Sequence, residues 1–318
     1  TDTRAQEFIR DKAGNVVGVK ATMTNGQKID FSAKSVVLAS GGYGANRAML
    51  PKKVASYLFY GLDSETGDGL AMGKKIGAGT INLDLVKQYP QGVETLPHHA
   101  LAATASSTDT MKKSGAIYVN RDGKRIVDEL AGLGTLTKIT EAQKDSIMYI
   151  VMDKAAWKQY VAKSLEDKLV AAPSDLDKWA KIVNNGYPVM ATSAKLADAA
   201  KTMGINAKGL QATIDRWNGF VKAGADKDFG RKVLMPFGEG PYYIVEQKPR
   251  FQTTLGGLKA NADMQILNKK GQPIGNLFGA GCVVGGANGS DSLTAMMNSW
   301  AIISGVVAGD SAVKNLKK

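Results

Sequence analysis

Cysteine and histidine are almost absent from this chain: Cys282 is the only thiol, and His98 and His99 are the only imidazoles, in 318 residues. A single cysteine excludes an internal disulfide framework and any cysteine-based zinc site. The histidines lack Asp, Glu or Cys at ligand spacing, so no metal site is expected. They read as surface-loop residues, with substrate contact as the alternative. No C-x-x-C-H haem signature occurs, and no strand runs into a G-x-G-x-x-G loop. There is no run of about eighteen apolar residues, so no transmembrane segment is expected. Acidic residues are outnumbered 29 to 41, giving a net charge of +12. The lysines are spread out and no basic run is interleaved with aromatics, which argues against nucleic acid. A solvated surface, or attraction for anionic substrates or acidic redox partners, accounts for the charge.

What is present is glycine in a pattern. With 44% hydrophobic and 22% charged residues, 318 residues suffice for one large or two ordinary globular domains. The most informative stretch is 277–289, where Leu277-Phe278-Gly279-Ala280-Gly281 starts as a strand and continues into Cys282, Gly285 and Gly286. A small-residue apolar segment, 293–309, follows and reads as a buried helix. Strand, glycine loop and helix start together suit the polar edge of a flat or phosphorylated cofactor, because glycine lets backbone N–H groups approach it.

Residues 4–38 read as β-hairpins with turns at 11–15 and at Asn25-Gly26. Residues 35–39 form a short apolar run of the kind found in a central parallel strand, ending in Ser40-Gly41-Gly42-Tyr43-Gly44. Thr66-Gly67-Asp68-Gly69 heads a helix over 70–76, where Asp68 either caps the helix or meets a cofactor hydroxyl. From residue 84 the glycine-loop style stops. Strands are expected at 115–120 and 146–152, and helices at 154–163, 175–184, 193–203 and 208–223. In the last, Leu210, Ile214, Trp217 and Val221 form a core stripe. The glycine style returns at Thr254-Leu255-Gly256-Gly257, and residues 263–276 read as a hairpin.

These motifs, joined by Gly115-Ala116-Ile117-Tyr118-Val119-Asn120-Arg121-Asp122-Gly123-Lys124-Arg125 and by Asp226-Lys227-Asp228-Phe229-Gly230-Arg231, resemble one family over essentially the whole chain. It is that of the FAD flavoproteins of the soluble fumarate reductase and flavocytochrome c type, which includes urocanate and other enoate reductases. The resemblance implies an α/β fold: a partial Rossmann-like FAD-binding domain (1–83 and 253–318) interrupted by an inserted α+β capping domain (84–252). The family's opening G-x-G-x-x-G segment has no counterpart here. The expectation is therefore a fragment, for which tight FAD binding alone is doubtful. Cofactor contacts carried over from the family fall on Ser40, Gly41, Gly42, Gly67, Asp68, Gly69, Gly256, Gly257, Gly281, Cys282, Gly285, Gly286 and Leu293.

In the family, a hydride passes from flavin N5 to an activated double bond and a side chain protonates the neighbouring carbon. Arginine and histidine clamp the substrate carboxylates. Carried over residue by residue, these positions depart from the pattern. Tyr89-Pro90-Gln91 stands for His-Pro-Thr, Leu133 for the proton-donor arginine, Thr253 for a histidine, Ser292 for an arginine, and Cys282 for a glutamate that binds flavin ribityl hydroxyls. Without the clamp, the implied substrate is not fumarate. Tyr89, Thr253, Thr254 and Ser292 are the substrate positions.

Tyr89 is the remaining proton donor, or else a tyrosine packed at the domain junction. Asp109 and Lys112 keep the proton relay in kind, or are a solvated helix pair. Glu129 is structural, or orients a donor. Cys282 is a small buried filler, or a redox thiol.

The implied activity is FAD-dependent reduction of an unsaturated substrate, with electrons from a haem, FMN or NADH-linked partner domain. The alternatives are a dehydrogenase or oxidase of the ketosteroid-dehydrogenase type and a binding module whose catalysis has lapsed.

Overall fold

The computed structural model describes residues 1–293 and 295–316. The chain divides into two compact units, Thr1–Ser56 with Gly61–Lys87 and Gln252–Lys318, and Tyr57–Tyr60 with Gln88–Phe251. The sequence reading kept 57–60 with the first domain. They join the second unit because Leu58–Phe59 pairs in parallel with Arg250 and Phe251 and with His99 of that unit's sheet.

In the first unit, Thr3–Arg10, Val16–Met23 and Lys28–Ser32 form an antiparallel meander. Its first turn is set by the Asp11 carboxylate, which accepts from the amides of Ala13 and Asn15 at 2.9 Å each. A second sheet orders Gln265–Leu267, Pro273–Gly279 and Val36–Leu38, the last two parallel. Val36–Leu38 was expected to be central. It is an edge strand among the described residues, with Pro273–Gly279 its one neighbour and Val37 exposed. A continuous apolar run alone does not report how many neighbours a strand has.

The C-terminal helix also differs from expectation. The segment 293–309 includes Thr294, which lies outside the described residues; the helix itself is Met296–Asn315, and only Ser304 and Ala308 in it are buried. Trp300, Val307 and Ala312 pack against Met264, Phe278 and Ala280. The other side, with Ile302 69% exposed and Ile303, Val306 and Val313 nearly as open, has no covering element among the described residues. A helix apolar all round reads as buried on every side; here one stripe is covered.

The second unit is built on a seven-stranded sheet ordered Leu58–Phe59, His99–Ala102, Val86–Leu96, Tyr242–Thr254, Met148–Met152 and Ile117–Val119, with Met190–Ser193 also on Tyr242–Thr254. Strand alternation divides its core between two faces. Met148, Ile150 and Met152 pack with Tyr118 against Ala156 and Tyr160 of the helix Lys154–Glu166. Tyr149 and Val151 pack with Ile117 and Val119 against Leu210, Ile214 and Trp217 of the helix Ala207–Ala223. Where a helix over 175–184 was expected, Pro173–Asp177 gives way to a 3₁₀ turn, Lys178–Lys181. A hairpin, Val183–Asn184 with Tyr187–Pro188, follows around Asn185-Gly186. That dipeptide favours the positive φ of a two-residue hairpin turn.

Candidate active site

In the first unit the glycine loops meet. Backbone bonds stitch them together: Gly67 N–H to Gly42 O (3.1 Å), Ala280 N–H to Leu38 O (2.8 Å), Gly285 N–H to Leu258 O (3.1 Å) and Gly286 N–H to Leu255 O (3.2 Å). Gly257 and Gly285 are in backbone contact; a Cβ on Gly257 would come 2.6 Å from Gly285 N. Gly256 lies as close to the Asn82 backbone, and Gly69 to the Ser40 side chain. Gly41, Gly67, Gly281 and Gly286 all have positive φ.

On Gly42 converge the Thr254 hydroxyl, the Glu65 carboxylate and Cys282. Thr254 Oγ1 and Glu65 Oε2 are buried without a hydrogen-bond partner, as is Asn288 Oδ1. Burial raises the pKa of Glu65. Burial, opposed by a contact from Thr253, also raises that of the Cys282 thiol, with the Glu65 charge adding to the rise. Cys282 Sγ lies 3.7 Å from Thr253 Oγ1. Ser292 is buried, its N–H on Asp291 Oδ1, which also receives Lys87 Nζ at 2.6 Å. Leu293 is 77% exposed, and its carbonyl accepts from Ser292 Oγ at 3.1 Å.

Asp68 is the first residue of the helix Asp68–Lys75, after Gly67. Its carboxylate makes no side-chain cap. It accepts from Arg4 Nε at 2.7 Å and from Nη2 at 2.8 Å, and this bonding lowers its pKa. The pair stands in a cleft of about 620 Å³ that Leu38, Ser40, Thr66 and Gly69 also line. Three predicted cofactor residues, Ser40, Asp68 and Gly69, thus share one cavity.

In the second unit, Tyr89 lies on Val86–Leu96 with the Arg250 guanidinium 4.1 Å above its ring. The Asp109–Lys112 pair does not form. On the helix Thr104–Lys113, Asp109 pairs with Lys113 at 2.9 Å, the i,i+4 spacing, and Lys112 is exposed. Glu129 is fully enclosed. It accepts from Arg125 Nε and Nη2 at 2.8 Å, from Arg231 Nη1 at 3.2 Å and from the Tyr118 amide at 3.2 Å. Arg125 continues to Asp226 at 2.9 Å.

Sequence reasoning missed Glu65, Arg250 and the internal role of Arg231. Glu65 precedes the Thr66-Gly67-Asp68-Gly69 motif directly, and Arg250 precedes Thr253 by three residues, so adjacency to a motif was the available signal. Arg231 was visible as a motif letter; its work is to donate to the carbonyls of Met111, Ser114 and Ala116 at the end of a helix.

The FAD binding domain family matches residues 1–296. Urocanate reductase from Eggerthella lenta is 33% identical over 318 residues, covering 98% of this chain and 50% of that protein. Fumarate reductase (cytochrome) from Shewanella frigidimarina is 30% identical over 321 residues, covering 100% and 52%. The open conformation of a flavocytochrome c3 fumarate reductase superposes with a TM-score of 0.80 at 27% identity, covering 98% and 52%. A 3-ketosteroid delta1-dehydrogenase from Sterolibacterium denitrificans, at 21% identity and TM-score 0.76, shows likeness of fold alone. This chain belongs to the FAD binding domain family, among the fumarate reductase-like flavoproteins. It spans about half the length of the curated relatives it matches.

FAD is the cofactor of that family, and the residues present fit its polar rim. The unpartnered Thr254 Oγ1 and Glu65 Oε2 are buried hydrogen-bonding atoms that a ribityl chain or ring edge would satisfy. Among the described residues no helix is long and apolar enough to cross a membrane.

Proposed function

We propose that this chain is the flavin-and-substrate part of an FAD-dependent reductase acting on an activated C=C bond of an unsaturated substrate other than fumarate. The observation that carries the reading is the junction at Gly42, where Thr254 Oγ1 and Glu65 Oε2 are buried and unsatisfied against a glycine loop. The relatives' names, urocanate reductase and fumarate reductase, support the reaction class.

The loop 40–42, Gly256-Gly257 and the loop 281–286 hold FAD, and Asp68 accepts from one of its hydroxyls. Glu65 stands beside Cys282 and supplies the carboxylate that the family carries at the Cys282 position. Bound FAD supplies the hydride at N5. Tyr89 donates the proton to the adjoining carbon, and its place under Arg250 holds the ring still. Cys282, with its thiol pKa raised by burial, is a contact residue and not a redox thiol. Electrons reach the flavin from a haem, FMN or NADH-linked partner domain.

The test uses the 318-residue chain with excess FAD, reduced anaerobically with dithionite and mixed with crotonate, cinnamate or fumarate. Reoxidation by an enoate above the protein-free control, and none by fumarate, is expected. Reoxidation by none of them while FAD is bound contradicts the reading.

A further inference from the structure

Arg250 is 3% exposed, yet the structure gives it no carboxylate among the described residues. The other enclosed arginines of the same unit have one: Arg125 pairs with Glu129 and Asp226, and Arg231 with Glu129. Arg250 Nη2 donates to Thr104 Oγ1 at 3.0 Å, while Nε and Nη1 are buried with no hydrogen-bond partner. Its guanidinium carbon lies 4.1 Å from the Tyr89 ring centre and 5.1 Å from that of Tyr60.

The position is fixed by three strands. Arg250 is in parallel register with Leu58 on one side, and on the other faces Gly92, where a Cβ would come 3.0 Å from its own Cβ. Gly92 thus leaves the lane in which the long side chain runs. Burial draws the Arg250 pKa down to about 10, against the opposing effect of the two tyrosines, so it is a cation at neutral pH. Ring faces attract a cation but do not satisfy its N–H donors. A buried guanidinium with idle donors and no counter-charge is the electrostatic complement of an oxyanion.

We propose that Arg250 is a specificity-determining residue that takes a single carboxylate of the unsaturated substrate, with Tyr60 and Tyr89 as flat walls beside it. This rests on the reductase reading above and adds the substrate class: a planar α,β-unsaturated monocarboxylate. The carried-over clamp positions, Tyr89, Leu133, Thr253 and Ser292, are all uncharged, so a second carboxylate finds no cation there. Tyr60, whose ring centre lies 5.1 Å from the guanidinium carbon, is 40% exposed and is the wall nearer solvent.

The test is equilibrium dialysis of cinnamate, and of its neutral analogue cinnamamide, against the 318-residue chain supplied with FAD. The wild-type chain is expected to prefer the acid by at least about tenfold, and Arg250→Met to lose that preference. Equal binding of acid and amide by the wild type, no binding of either, or an unchanged preference in Arg250→Met overturns the proposal. Should Arg250→Met fail to fold, Arg250→Lys decides: it keeps the charge without the planar fork, and a reduced acid preference is expected. An unchanged preference in Arg250→Lys overturns the proposal.

Flavin reoxidation by the two probes separates the two claims. Acid preference without reoxidation removes the reductase reading and leaves the anion site. Reoxidation equal for acid and amide removes the role of Arg250 and leaves the reductase.

Discussion

Arg231 and Glu129 form an ion pair at 3.2 Å with neither side chain exposed to solvent. The arginine also holds the carbonyls of Met111, Ser114 and Ala116, and the glutamate also holds Arg125. Removing one partner strands the other charge in the core. Arg231→Met is therefore expected to lower the unfolding free energy by about 3–5 kcal/mol in urea denaturation. A loss below about 1 kcal/mol would show that the network is not the structural centre of this unit.

Asp226 ties the same network to acid stability. Burial raises its pKa, but the hydrogen bonds from Arg125 and from the Arg231 amide outweigh that and bring it to about 2. A carboxylate depressed in the folded state contributes stability above its unfolded pKa of about 3.9 and loses it as pH falls toward the folded value. Thermal midpoints of the wild type should thus fall between about pH 4 and pH 2 more steeply than those of Asp226→Asn. Parallel curves would contradict this.

The elements that were legible in the sequence carry their own local signals. The hairpins of 4–38 and 263–276 show in turn chemistry at Asn25-Gly26 and Lys269-Lys270-Gly271, and the core stripe of Ala207–Ala223 shows in its period. The edge position of Val36–Leu38 and the open side of Met296–Asn315 do not, because apolar residues look alike whether or not a neighbour covers them. Likewise Asp109 and Lys112 matched a relay in kind, yet helix geometry favoured Lys113. Arg250 and Glu65 were hidden because their significance lies in single buried atoms, Arg250 Nε and Nη1 and Glu65 Oε2, that have no hydrogen-bond partner, and only the fold reveals that.

Tyr89 separates packing from chemistry. Tyr89→Phe keeps the ring under Arg250 and removes only the hydroxyl. Enoate-driven flavin reoxidation, measured with FAD in excess, should slow by about 10²-fold or more for a proton donor. An unchanged rate removes Tyr89 from the chemistry.

The open side of Met296–Asn315 is equally testable. Ile302→Asp should leave the unfolding free energy within about 0.5 kcal/mol of wild type. Ala308→Asp, on the covered stripe, should lower it by well over about 1 kcal/mol. Equal losses in denaturant melts would mean that both sides are packed.

The central claim, that the glycine-loop junction with Glu65 and Thr254 is an FAD site, is tested most directly by titrating the chain into FAD and following flavin fluorescence. Quenching that saturates with protein is expected, and Glu65→Ala should weaken it by about tenfold at unchanged circular dichroism. No saturable quenching, or identical curves for Glu65→Ala and wild type, would contradict it.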